Sequence, residues 1–561
     1  MKQFIRKIQF LGLFTIGFIS AIHADKITSI DTAHYYLKHS YDVQKYKLNI
    51  DIYPCYDSPY PKSFTAKEVI TFRVDSSLNL IKLNAVNSSL QIDSVQMAGV
   101  SFTHARDTLN VLLNRTYLPG ETVNVEIRYK HKDTADRAFY TGGGYVFFDF
   151  PAEGARRCFP CWDKPSDKAK WELTAKVPVS VRLGSNGTLA DSLITGDTIY
   201  YHWISSDPMA TYLMTLTSEK GYNIDTKYWH KPGNPKDSIP MRFYYKPSEN
   251  PLSIESIIIP MTDFYSRKFG EYPFEKIGFA TLNSLFQWGG MENQTMINLQ
   301  LDGWREGLVS HEFSHQWFGD LITCGTWADI WLNESFATYC ESLWLEQTKG
   351  YPAYQDHLNN QVNFYLDHNP GFPVYNPGWV FQTPPVNMLY TAAVIYDKGA
   401  CALHQLRYLL GDSVFFRVLH EYMTDTNFMF KNAVTKDFIA KVNQVSGKDY
   451  SWFFNEWIYS PNHPVYKNTF EISNIGKNKW KVNYIVEQTQ SNAPFFQMPL
   501  QLLIGFSNKS DTLIKVDNNH NPQIFEFVFT KRPITASFDP YENILIKKET
   551  TIVHKIKARE K

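Results

Sequence analysis

The chain has 561 residues, 43% apolar and 20% charged, and its 56 basic side chains balance 56 acidic ones. That length predicts about three or four domains, each with its own core. A net charge of zero excludes the basic footprint of a nucleic-acid binder and gives no reason to expect a strongly acidic substrate.

Lys2, Arg6 and Lys7 precede an apolar run over 10–22 that is short for a membrane span, and Ala21 and Ala24 offer small residues for cleavage. Residues 1–24 therefore read as a signal peptide. The mature protein is expected outside the cytoplasm, periplasmic or secreted, with no stable membrane span. Over 25–222 the pattern is β-rich, with runs such as YKLNIDIYP, AKEVITFRV and ETVNVEIRYK between turn clusters, which predicts an antiparallel domain. Gly142-Gly143-Gly144 lies between two such runs and reads as a tight turn rather than a phosphate loop. Cys158-Phe159-Pro160-Cys161 is a single C-x-x-C among six cysteines, too few for a disulfide scaffold, and two packed thiols are the simpler reading over a redox pair.

From 223 to 460 the character is mostly helical, with helical spacing over 254–269, 392–410 and 436–445 and one strand-like run over 276–282. Beyond Pro461 six short β runs predict a small sandwich over 461–550, followed by a basic, frayed tail over 551–561.

The chemistry concentrates in LVSHEFSHQWFGDLITCGTWADIWLNESFATY, residues 308–339. His311-Glu312-Phe313-Ser314-His315 is an H-E-x-x-H pattern, and Glu334 follows His315 by nineteen positions. Residues four apart share a helix face, so His311 and His315 can point at one centre. Two imidazoles so placed suit zinc, and Glu312 can act on a water that the metal activates. A second helix starting near Asn333 would bring Glu334 as a third ligand and leave one coordination position open, which is the catalytic arrangement rather than the closed structural one. The apolar residues Leu308, Val309, Phe313, Trp317, Phe318 and Leu321 cover much of the first helix, so its polar residues need partners. Upstream, Gly289-Gly290-Met291-Glu292-Asn293 follows a strand; alone it would pass for a turn with a solvated carboxylate.

Taken together, G-G-M-E-N, H-E-F-S-H and W-L-N-E resemble, in order and spacing, the gluzincin aminopeptidases of the aminopeptidase N type. The likeness extends to Ala155-Arg156-Arg157 through Pro165 and to Tyr396-Asp397-Lys398-Gly399-Ala400. It implies an α+β multidomain fold with an N-terminal antiparallel β domain, a thermolysin-like, mostly helical catalytic domain and a small C-terminal β-sandwich. It also implies one zinc per chain, bound by His311, His315 and Glu334. Glu312 would be the general base and later proton donor, and Tyr396 would hydrogen-bond the oxyanion. Glu292 would hold the substrate's α-ammonium, with Gly289, Gly290, Met291 and Asn293 binding the peptide beside it. The partners expected are peptides with a free N-terminus, cleaved one residue at a time.

Two departures stand out. Relatives carry Gln-x-Glu or Gln-x-Gln where Asp149-Phe150-Pro151 aligns, so amine recognition is expected to rest on Glu292, Glu334 and Asp149. Many relatives also continue into a large helical domain that roofs the site, so the cleft here is expected to be more open or closed by a partner subunit. Trp288 is either a wall of the pocket for the first side chain or a core tryptophan. The competing functions are a zinc endopeptidase, which has no use for an amine anchor, the leukotriene-hydrolase branch, against which the β-type ending argues, and an inactive peptide-binding module.

Overall fold

In the computed structural model the described residues are 39–556. The expected signal peptide lies outside them.

The N-terminal unit is built on an eight-stranded sheet whose centre runs, neighbour to neighbour, Lys168–Pro178, Tyr41–Asp51, Thr65–Val74 and Thr122–His131. Alternation decides which face is buried: Tyr46, Leu48 and Ile50 point into the core, as do Ile70, Phe72 and Val74 from the next strand. The sheet is not antiparallel throughout, as the β runs had suggested. Tyr41–Asp51 pairs in parallel with Lys168–Pro178, Tyr46 opposite Trp171. A parallel partner is reached through a long connection, so no hairpin spacing announces it. Gly142-Gly143-Gly144 does form a tight turn, joining Phe139–Gly142 to Tyr145–Phe148, and this hairpin delivers Asp149 and Pro151 toward the middle unit. Among the described residues all six cysteines are buried free thiols.

The middle unit contains more sheet than its sequence pattern showed. Five strands lie in the order Asn223–Lys231, Asn234–Tyr245, Ile277–Thr281, Ile297–Leu299 and Gly290–Met291, the last being the outer strand. Helix α1 (Ile258–Phe269) is shorter than predicted, because Leu252–Glu255 forms a separate turn. Pro260 explains the break: its ring would clash with the carbonyl four residues back in a continuous helix. Helices α2 (Glu306–Ser314) and α3 (Trp331–Lys349) form the heart of the unit, with α4 (Tyr351–His368) packed on α3. A π-helical segment, Ala392–Lys398, leads into α5 (Gly399–Leu410). The bed for α2 is aromatic: Phe313 stacks on Tyr272 at 5.7 Å, and Trp317 meets Tyr265 edge-on at 5.8 Å.

The C-terminal unit is a sandwich of a four-stranded and a three-stranded sheet. Its last strand, Lys548–Ile556, pairs in parallel with Val465–Gly476, so the described part of the expected frayed tail, 551–556, is strand; the rest of that tail lies outside the described residues. Their side chains are exposed through residue 555, Ile552 and Val553 included, while the backbone is satisfied by the neighbouring strand.

Candidate metal centre and active site

His311 and His315 stand one turn apart at the end of α2, and Glu334 lies in the first turn of α3. Their ligand atoms form a small triangle. His311 Nε2 and His315 Nε2 are 3.2 Å apart, and Glu334 Oε2 lies 3.4 Å from each. The opposite ring nitrogens are already engaged: His311 Nδ1–H donates to Glu341 Oε1 at 2.9 Å and His315 Nδ1–H donates to the Phe318 carbonyl at 3.0 Å. With both protons held on Nδ1, two imidazole lone pairs and a carboxylate converge with no donor among them. Such a set suits a bound cation. Tetrahedral zinc with bonds of about 2.0–2.1 Å separates its ligand atoms by roughly 3.3–3.4 Å, so the triangle has the right size. Three protein donors leave the remaining coordination to water or substrate.

Glu341 was not singled out in the sequence. It lies seven residues after Glu334 on α3, hence on the same face two turns on, and that spacing is the signal that could have found it. His357 of α4 approaches its other oxygen at 3.6 Å.

The triangle opens into a cavity of about 280 Å³. Of the predicted site residues, Gly289, Gly290, Met291, Glu292, His311, Glu312, His315, Glu334 and Tyr396 line it, joined by Pro151, Trp288, Leu308, Tyr390 and Glu341. Asn293 does not. It is buried behind the wall, where its amide donates to the Leu213 carbonyl at 3.3 Å and its oxygen accepts from Asn298 at 2.8 Å. Asp149 also stands behind the lining: its Oδ2 accepts a 3.1 Å bond from Trp288 Nε1. That bond, with an edge-on contact to Tyr390 at 5.8 Å, sets a half-buried Trp288 as a wall of the cavity rather than a core residue.

Close packing defines two glycines. A Cβ on Gly290 would overlap the Glu312 carboxylate, so the peptide backbone there touches that carboxylate directly. A Cβ on Gly399 would overlap Ser335 Oγ, which donates to the Ile395 carbonyl at 2.5 Å. This contact ties the π-helical segment to α3 and carries the Tyr396 ring to 5.9 Å from that of His311, nearly parallel. The Arg156–Asp163 pair, bonded at 2.9 Å, lies away from the cavity. Together with Glu153, which accepts from Trp327 Nε1 at 2.9 Å, it braces the N-terminal unit against the turn that precedes α3.

Charge is dense here. Glu292, Glu312 and His315 each place a ligating atom within 4.8 Å of the other two. Burial pushes the Glu312 carboxyl up to about 8, with Glu292 and Glu334 adding to the effect and the imidazoles opposing it. Burial likewise raises Glu292. Against a burial effect of the same sign, His315 and His311 hold the Glu334 carboxyl down at about 2. Burial and the surrounding carboxylates keep Tyr396 a neutral phenol and hence a donor.

Comparison with known proteins matches residues 41–213 to the Peptidase M1 N-terminal domain and residues 256–457 to the Peptidase family M1 domain. Aminopeptidase M1-C of Oryza sativa is 27% identical over 439 residues, covering 72% of this chain and 48% of its own length. Aminopeptidase 2 of Candida albicans is 24% identical over 478 residues, covering 79% and 49%. The chain thus spans about half the length of the curated relatives it matches. Among solved structures, the M1 zinc metallopeptidase of Deinococcus radiodurans superposes with a TM-score of 0.65 at 24% identity, over 75% of this chain and 93% of that one. Aminopeptidase A of Legionella pneumophila does so with 0.71 at 19%, over 89% and 58%, which extends the shared fold toward the C-terminal unit. Two consecutive family matches on a chain whose histidines and glutamate meet at zinc spacing lead to one conclusion: this protein belongs to peptidase family M1, the zinc gluzincins of the aminopeptidase N type.

Proposed function

We propose that the chain is a zinc aminopeptidase that removes single residues from the free N-termini of peptides. The observation that carries this reading is Glu292, a buried carboxylate directly after the outer strand of the sheet, beside the metal triangle and within 4.8 Å of Glu312 and His315. A carboxylate buried among other carboxylates gains most from a cation, and the α-ammonium of a peptide supplies one. Anchoring the chain end there leaves room for one residue before the scissile carbonyl reaches the metal.

Held by His311, His315 and Glu334, zinc supplies Lewis-acid polarisation of the carbonyl and lowers the pKa of water. Glu312 takes the proton of the attacking water and returns it to the departing amine, a role suited to a carboxyl whose environment raises its pKa. Tyr396 donates to the oxygen on which negative charge develops. The free edge of Gly290–Met291 offers backbone groups to an extended peptide. Trp288 and Tyr390 bound the pocket for the first side chain. The basic and apolar pattern of residues 1–24 supports an exported enzyme, periplasmic or secreted, which fractionation of producing cells would check; among the described residues no helix is long and apolar enough to cross a membrane.

The test is chromophore release from a panel of aminoacyl amides and their N-acetyl copies, with and without a chelator. Chelator-sensitive cleavage restricted to the free amines is the expected result. Equal cleavage of the acetylated copies would indicate an endopeptidase, and no cleavage by zinc-loaded protein a peptide-binding module.

A further inference from the structure

Gln316 follows His315 directly, is fully buried and does not line the cavity. Both hydrogens and the oxygen of its amide are engaged. Nε2 donates to the Glu292 carbonyl at 3.2 Å and to Asp320 Oδ2 at 2.7 Å. Oε1 accepts from the Thr295 N–H at 2.9 Å, and the Tyr272 hydroxyl, whose proton goes to the Lys276 carbonyl at 2.8 Å, lies 3.3 Å away. One side chain therefore grips both ends of the turn from Glu292 to Thr295, from a position covalently joined to a metal ligand.

That turn needs the grip. Thr295 has φ +62°, a left-handed conformation that is costly for a β-branched residue and persists only where surroundings impose it. The Thr295 hydroxyl is engaged as well, accepting from the Gly187 N–H at 2.7 Å. Beyond the amide, Asp320 is fixed from the N-terminal unit, since Lys168 Nζ donates to its carbonyl at 2.6 Å. The chain of bonds runs from Lys168 through Asp320 and Gln316 to the backbone of the amine-anchoring glutamate.

We infer that Gln316 is a positioning residue that sets the distance between the Glu292 carboxylate and the metal, and so sets how strongly a substrate's α-ammonium contributes to binding. This rests on the aminopeptidase reading above. Gln316 touches no substrate; it holds the strained turn from which Glu292 projects.

The experiment uses two inhibitors: the hydroxamate of whichever amino acid the amide panel ranks first, and its copy with hydrogen in place of the α-amine. The ratio of their inhibition constants measures the amine's contribution, about 10–100-fold in the unaltered protein if a charge-assisted bond is made. In Gln316→Met the ratio should shrink about tenfold, while the constant for the des-amino copy and the zinc content stay unchanged. Gln316→Asn, which keeps a neutral amide one methylene too short to reach both Glu292 and Thr295, should behave likewise and guards against a folding failure of the first variant. Adding Thr295→Gly, which relieves the left-handed strain, should recover part of the ratio. An unchanged ratio, or a parallel rise of both constants, overturns the inference while leaving the amine anchor intact. A ratio near one in the unaltered protein overturns the anchor itself and the inference with it.

Discussion

On the side of α2 and α3 the cavity takes its three ligand atoms from residues four and nineteen positions apart, and one hydrogen bond to each imidazole completes the arrangement. The opposite wall gathers Pro151, Trp288 and Tyr390 from three separate stretches, and its main tie is the bond from Trp288 to a buried carboxylate in another unit. Helix geometry does most of the positioning on the first side; long-range packing does it on the second. Damage to the metal side should therefore appear in rate and metal content, and damage to the wall in selection and stability.

The sharpest separation should come from Glu312→Gln, which removes the base but none of the three metal ligands. We expect kcat to fall by about 10²–10⁴-fold, with one zinc per chain still found by elemental analysis; loss of the metal would show that Glu312 also holds it. Tyr396→Phe should lower kcat by about 10²-fold with KM nearly unchanged, as for an oxyanion donor, and a change confined to KM would move Tyr396 to the binding wall. Glu341→Ala leaves all three ligands in place but frees the His311 ring. Zinc affinity, read by chelator competition, should weaken about 10–100-fold, and full retention would mean that α2 alone orients the imidazole.

The smallest effect tests the wall. Burial raises the Asp149 carboxyl to about 7, far above its value in an unfolded chain. Between about pH 4 and 7 the folded state thus holds a proton that the unfolded state has released. The stability this contributes is present at low pH and lost as pH rises through the folded pKa. Asp149→Asn keeps an acceptor for Trp288 without the ionisation, so its Tm should exceed that of the parent by a few degrees at pH 8 and by less at pH 5. A gap that does not widen with pH would mean Asp149 is not buried as described.

Several features were legible because they are local. The i, i+4 pair of histidines, the burial of α2 expected from Val309, Phe313 and Trp317, the glycine turn after Thr141 and the alternating runs of the C-terminal sandwich all follow from periodicities of a few residues. Helix α1 begins later than its apolar spacing predicts because Pro260 acts on the preceding turn, a local signal that spacing alone does not register. The inner part of the middle sheet was hidden, since short buried strands such as Ile277–Thr281 and Ile297–Leu299 carry too few residues to show a period, although the long outer pair Asn223–Lys231 and Asn234–Tyr245 had the length to show one.

The sequence by itself determined the chemistry that this chain can host: which side chains can bind zinc, which carboxylate can move a proton and which can meet an ammonium. Only the tertiary structure decided that Asn293 stands behind the wall instead of lining it, that Asp149 accepts from Trp288 there, and that Gln316 bonds the backbone of Glu292. The reason is one of range. A ligand pair on one helix is specified by backbone geometry over a single turn, whereas the partner of a buried polar atom is whichever group the packed chain brings within 3 Å or so, as far as 139 residues away for Trp288 and Asp149.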